Sequence, residues 1–242
     1  MTQARVIAAA EDPASFGSLE HELKYVVPAT VTGSLLAWLP AACLRDAVYP
    51  SAAVHTVYYD TPGWALLGEK MDSDYLKAKV RVRWYADLRG TPGGAVFAEL
   101  KERIGNRRVK TRVALPIDGA TAVGRPLHDR AWADWLRPLA EACGYLPASL
   151  APVLALRYVR HRFVDPRTSS RLTVDEAISV DRVNPQRLRG RSSGRLPVAV
   201  VEYKGRHVDL PGHLAALLRF DARRSAFSKY LACWQHVTET AL

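Results

Sequence analysis

Charged and apolar residues alternate with a period of two along much of this chain. That alternation predicts strands at residues 19–27, 54–59, 77–85, 96–103, 107–115, 153–164, 171–175 and 198–204. Turn residues punctuate the runs. Asp60-Thr61-Pro62-Gly63 closes the second, Gly105-Asn106 joins the fourth to the fifth as a hairpin, and Asp165-Pro166 follows the sixth. Three stretches carry helical spacing instead. They are 31–45, bent or ended by Pro40; 127–143, with Trp132, Trp135 and Leu136 on one stripe; and 214–236, broken near Asp221. The order lacks the βαβ rhythm of a parallel sheet. It predicts an α+β fold, an antiparallel β-barrel with helices packed on the outside. Residues 1–18 are expected as a flexible leader, 184–194 as a surface loop, and 19–242 as a single domain.

Side chains two apart on a strand share a face. Glu20, Glu22 and Lys24 fall together, as do Lys77, Lys79, Arg81, Arg83 and Tyr85. So do Glu99, Lys101 and Arg103, then Arg108, Lys110 and Arg112, then Tyr158, Arg160 and Arg162. Arg171, Thr173 and Asp175 form a further set, and Glu202 and Lys204 the last. Any one strand could turn such a face to water. Taken together they would set like charges side by side, which destabilises a sheet unless carboxylates or a polyanion intervene. The helical stripes of Leu, Trp and Ala need the apolar backs of these strands. A charged inner face around a tunnel follows, where Lys and Arg are costly without a ligand. A chain of phosphates supplies that ligand, and guanidinium forks match its oxygens.

Composition agrees. The 242 residues are 48% hydrophobic, enough for a real core, and 34 Lys plus Arg against 24 Asp plus Glu give a net charge of +10. Cys43, Cys143 and Cys233 are too scattered for a disulfide framework or a zinc set and read as core residues in a reducing compartment. No stretch suits a signal peptide or a membrane span, which places the chain in the cytoplasm as an expectation. Phosphate needs no glutamate, but a divalent cation does. Glu202 and Glu22 are the metal candidates, with Glu20 and Glu99 behind them; each could equally be an internal salt bridge.

The motifs ELKYVV, VYYDTP, KVRVRWY, ELKERIGNRRVKTR, LRYVRHRF, RLTVD, LPVAVVEYKGR and AFSKY occur in that order. Together, from about Glu20 to Cys233, they resemble the VTC domain, the polyphosphate-polymerising branch of the CYTH or triphosphate tunnel metalloenzyme superfamily. The resemblance implies ATP and inorganic polyphosphate as partners and Mn²⁺ or Mg²⁺ as cofactor; basic residues at strand spacing beside glutamates, rather than in an exposed cluster, argue against nucleic acid. By motif it implies that Arg81, Arg83, Lys101, Arg160, Arg171 and Lys229 are catalytic. It implies that Lys24, Lys110, Tyr158 and Ser228 bind substrate and that Glu202 holds the metal, while the strand faces add Arg103 and Lys204 as substrate contacts and Glu22 as a second metal candidate. Arg103 stands where fungal relatives carry His.

Two other readings stay open. A hydrolase of the same superfamily would use the carboxylates to activate water. A polyanion-binding module would use the same charge with Trp84, Tyr85 and Tyr203 as stacking platforms. Walker-type and dinucleotide glycine motifs are absent, and His55, His161 and His207 read as ordinary polar positions.

Overall fold

The computed structural model describes residues 21–72, 75–105, 107–189 and 194–239. The leader, Glu20, Asn106 and the middle of the 184–194 loop lie outside these residues. Among the described residues ten strands form one antiparallel sheet. They are β1 (His21–Pro28), β2 (Leu44–Arg45), β3 (Ser51–Asp60), β4 (Leu76–Ala86), β5 (Ala95–Ile104), β6 (Arg107–Asp118), β7 (Ala151–Val164), β8 (Arg171–Val183), β9 (Val198–Gly205) and β10 (Arg223–Arg224). The order is β10-β1-β9-β8-β7-β3-β4-β5-β6, with β2 paired to β7. The ladder stays open between its two ends. Side chains bridge that gap: Glu22 of β1 reaches Lys101 of β5 at 3.3 Å and Arg108 of β6 at 3.4 Å. The result is an α+β barrel closed by ion pairs rather than by backbone hydrogen bonds.

The helices are shorter than the sequence predicts. Pro40 and Pro138 divide the first two regions. The first becomes α1 (Thr32–Trp38) followed by a 3-10 turn. The second becomes α4 (Ala131–Asp134) and α5 (Arg137–Cys143), preceded by α3 (Gly119–Val123). The third region splits at Asp221, whose φ of 53° is left-handed, into a 3-10 helix (Gly212–Phe220) and α6 (Lys229–Glu239), with β10 between them. The turn after β3 carries an unpredicted helix, α2 (Ala65–Met71).

Two apolar layers cover the outside. The backs of β3 to β6, with Val80, Val82 and Trp84, pack on Trp132, Leu136 and Leu139 from the α3–α5 region. The backs of β1, β8 and β9, with Leu23, Leu172 and Tyr203, pack on Leu35, Leu39, Leu214 and Leu217. This is the apolar surface that the strand periodicity requires. It also buries Trp84 and Tyr203, which are therefore structural and cannot stack on a base.

α6 lies differently. Its Tyr230, Cys233 and Val237 pack against Val54, Tyr58, Leu154, Leu156 and Tyr158. Tyr58 is the register partner of Arg81, so this is the inner face. The Tyr58 and Tyr230 rings stack with centroids 4.9 Å apart, and the Tyr230 hydroxyl donates to Asp60 Oδ2 at 2.8 Å. α6 therefore fills the apolar half of the interior and leaves the charged half open.

Candidate active site: a cation-lined cavity

Register decides which charges meet. Pairing of β4 with β5 sets Arg81 opposite Glu99 and Lys79 opposite Lys101, and β5 with β6 sets Glu99 opposite Arg112 and Lys101 opposite Lys110. Glu99 is 1% exposed. It accepts from Arg81 Nε at 2.7 Å and pairs with Lys110 at 3.1 Å and Arg112 at 3.2 Å. Burial alone would raise its carboxyl, but Arg81, Arg83, Lys110 and Arg112 hold it well below the usual range. With three cations on one carboxylate, Glu99 is an internal counter-ion here, and the salt-bridge reading of this residue is the one realised.

A second knot joins β7, β8 and α6. Asp175, fully buried, accepts a two-pronged bond from Arg160, Nε to Oδ1 at 2.6 Å and Nη2 to Oδ2 at 2.7 Å. Lys229 Nζ lies 2.5 Å from Oδ2. Burial opposes ionisation of Asp175, but Arg160 and Lys229 bring it down to about 2. Burial likewise works against the Arg160 and Lys229 cations, and Asp175 carries both above their ordinary values. Tyr158 sits beneath them, with Lys229 Nζ 5.0 Å from its ring centroid. Arg83 is different. It is buried, donates from Nε to Thr56 Oγ1 at 3.0 Å, and has no carboxylate in salt-bridge reach among the described residues.

Beyond these knots opens a cavity of about 220 Å³. Its charged lining is Lys24, Lys70, Lys77, Lys79, Lys101, Arg103 and Arg108 against Glu22 and Glu102, and the segment Ser225 to Phe227 closes one side. Glu22 binds Lys24 at 2.7 Å besides Lys101 and Arg108. Burial and Glu202 push the Glu22 carboxyl up, but Lys24, Lys101 and Lys204 bring it down to about 2. Burial lowers Lys101 to about 8 against the pull of Glu22. The surplus of cations in so small a volume asks for an anion with several charges close together.

Glu22 and Glu202 occupy neighbouring strands with Lys204 and Lys24 as their direct cross-strand partners, and Glu202 pairs with Lys204 at 3.0 Å. Burial raises Glu202, yet Lys204, Lys24, Arg160 and Lys229 hold it well below the usual range. Thr173 is the partner of Glu202 on β8, and its Oγ1 is buried without a hydrogen-bond partner. Two ionised carboxylates and an unsatisfied hydroxyl on one patch fit a hard divalent ion, which takes one or two carboxylates and completes its shell with phosphate oxygens and water. Among the described residues no cluster of three or more His, Cys, Asp or Glu exists, so such an ion would depend on substrate oxygens.

Of the predicted residues, the structure gathers Lys24, Glu22, Lys101 and Arg103 at the cavity and Arg81, Arg83, Arg160, Lys229 and Tyr158 deeper in the barrel, with Lys110 reaching Glu99 from an exposed position on β6. Ser228 joins through Lys79, whose Nζ donates to its Oγ at 3.1 Å. Arg171 lies at the exposed end of the same β8 face, and Lys204 is half-exposed beside it as its register partner. Sequence reasoning missed Lys70, on the unpredicted α2. It placed Lys79 and Asp175 on the right faces without assigning them a role; for Lys79 the spacing of two from Arg81 was the available signal, whereas the pairing of Asp175 with Arg160 comes only from the β7–β8 register. His55 and His161 are not at the site: His161 bonds Ser51 at 2.9 Å and Glu176 at 2.8 Å on the other face of β7.

An antiparallel barrel with inward-facing arginines, a lysine-rich cavity and a carboxylate pair offers a surplus of positive charge to an anion carrying several charges. The sequence model of the VTC domain matches residues 19–238, and the chain belongs to that family. No curated protein matches it. Among solved structures it is similar to HpAC1 from Hippeastrum, described by a dominant triphosphatase activity, at 15% identity over 90% of this chain and 96% of that one, TM-score 0.48. It is also similar to PH1819 from Pyrococcus horikoshii OT3, at 12% identity over 89% and 99%, TM-score 0.47. Among the described residues no helix is long and apolar enough to cross a membrane.

Proposed function

We propose that the chain is an ATP-dependent polyphosphate polymerase that transfers the γ-phosphate of ATP to the end of a growing polyphosphate. The reading is supported by membership of the VTC domain family together with one observation: cations from β1, α2, β4, β5 and β6 converge on a single cavity. The attacking oxygen is the terminal phosphate of the acceptor, already anionic at neutral pH, so no strong base is needed. The work is in-line placement and neutralisation of charge spreading over the transferred group. Arg81, Arg83, Arg160 and Arg171 neutralise. Lys24, Lys101 and Lys110 position the two chains, and Lys229 and Ser228 close the site from α6. Glu202 and Glu22 would hold Mn²⁺ or Mg²⁺, which when bound would neutralise negative charge on the phosphate groups. Arg81 and Arg160 enter the reaction already rigid, because Glu99 and Asp175 fix their forks, and a preset donor loses less freedom when charge develops.

Hydrolysis of a triphosphate by the same site is the second reading. The carboxylate pair beside the Thr173 hydroxyl favours it, since those groups could orient water. One assay separates the two. Purified protein with ATP and Mn²⁺ is expected to yield ADP and a ladder of long polyphosphates. Orthophosphate without a ladder would replace polymerase by hydrolase, and neither product would overturn both.

A further inference from the structure

Lys79 is one of the cavity cations that the proposed chemistry has not used, and its surroundings are unlike those of its neighbours. It lines the cavity from the middle of β4. Among the described residues its Nζ has one hydrogen-bond partner, the Ser228 hydroxyl at 3.1 Å, and no carboxylate in salt-bridge reach. Cations face it from every side: Lys24 of β1, Lys70 of α2, Arg81 on its own strand and Lys101 of β5. The nearby groups of opposite sign do not serve it. Glu22 is engaged by Lys24 and Lys101, Glu99 by Arg81, and Glu69 of α2 accepts from the Ala78 amide at 2.7 Å, while Glu102 lines the cavity from β5 with no ion pair to Lys79. Lys229 of α6, next to Ser228, is tied to Asp175.

A half-buried amine ringed by cations is unfavourable as an ammonium until an anion arrives. We propose that Lys79 is a chargeable phosphate-binding group: resting on Ser228 in the empty cavity, it takes a proton from solvent when an oligophosphate enters and becomes one of the ammonium groups that hold it. This rests on the reading of the cavity as an oligophosphate site. Burial, reinforced by Lys24, Lys101, Arg81 and Lys70, brings the free amine down to about 7, so near neutral pH a large share of empty molecules carry no charge there. Phosphate oxygens at the Nζ reverse the balance, because a nearby negative charge favours the ammonium. The step is R–NH₂ plus one proton giving R–NH₃⁺, with buffer as the donor. The empty site thereby avoids part of its self-repulsion, and the full site regains the charge. Ser228 precedes the first residue of α6, and its Oγ is 3.5 Å from the Leu231 amide. Release of Lys79 frees that hydroxyl to complete the helix cap.

The test is calorimetric titration of the full chain with inorganic tripolyphosphate at about pH 8 in buffers of different ionisation enthalpy, which counts protons exchanged on binding. The wild type is expected to take up about one more proton per bound tripolyphosphate than Lys79→Arg, which stays charged throughout. Protons shifted on the ligand itself cancel in that difference, and comparing a charged with an uncharged variant at position 79 brackets any shift at Lys101. Lys79→Gln, which cannot charge, should lose the same proton and bind at least tenfold more weakly, so the result does not hang on whether the larger arginine fits. Equal proton counts in wild type and both variants would overturn the role of Lys79 and leave the cavity's standing intact. An absence of tripolyphosphate binding in all three would overturn both.

Discussion

Asp175 and Lys229 meet at 2.5 Å between Oδ2 and Nζ, so one buried carboxylate fastens the first turn of α6 to β8. The same carboxylate holds Arg160 through both oxygens. Removing it strands two buried cations, and breaking a buried pair costs about 3–5 kcal/mol. Asp175→Ala is expected to lower the Tm by about 10 °C or more, read by calorimetry without ligand. Tripolyphosphate should restore part of the loss by supplying the missing charge. A Tm within a degree or two of wild type would show that α6 is held by other contacts.

Arg83 predicts the reverse. Its hydrogen-bond partner is a neutral hydroxyl, and Glu99, the carboxylate it acts on, is already paired with Arg81, Lys110 and Arg112, so the buried Arg83 charge has no ion-pair partner of its own. Replacing such a charge by an apolar group of similar size is neutral or stabilising. Arg83→Met should therefore keep or raise the Tm while lowering turnover roughly 100-fold, the cost of one lost donor to developing charge. Turnover near wild type would remove Arg83 from the site.

Glu99 and Glu202 look alike in sequence and should behave differently. Glu202→Gln is expected to raise the Mn²⁺ concentration for half-maximal activity tenfold or more, since even residues behind a ligand are worth about 10–100-fold in metal affinity. Glu99→Gln should lower the Tm by loosening Arg81, Lys110 and Arg112 and leave the metal requirement near wild type. Titrating Mn²⁺ against both variants checks the assignment, and an equal shift in both would refute it.

The ligand-free protein should grow more stable as the pH rises from neutral. Lys79 and Lys101 have native values of about 7 and about 8, below the 10.5 of an unperturbed lysine. Between those limits the unfolded chain binds more protons than the native one, so stability increases with pH across that window. The carboxylates add nothing there, because Glu22 and Asp175 are already ionised. Urea midpoints at neutral pH and about two units higher should rise in wild type and rise less in Lys79→Met. A falling midpoint would contradict the burial of these amines.

Much of this fold follows from period-two alternation, because one face of each strand packs on helices and the other does not. Arg81 with Val82 and Arg160 with Tyr203 illustrate residues whose sides were legible from spacing. What spacing cannot show is register across strands. Whether Glu99 meets a metal or three cations depends on β4 and β6 as much as on β5. The continuation of β8 past Asp175 was hidden because Ala177 adopts a φ of 54° and a bulge breaks the alternation. α2 went unread because seven residues with Gly68 inside carry little helical signal. The position of α6 inside the barrel needed Asp175 and Tyr58 as partners, both distant in sequence.

The central claim is that lysines and arginines on separate strands serve one shared cavity. Binding of tripolyphosphate, measured for single variants Lys24→Met on β1, Lys70→Met on α2, Lys101→Met on β5 and Arg108→Met on β6, tests it directly. Wild type is expected to show one binding site, with every substitution weakening that same site and reducing its salt dependence. Several weak sites, or affinity untouched by substitutions on different strands, would contradict it.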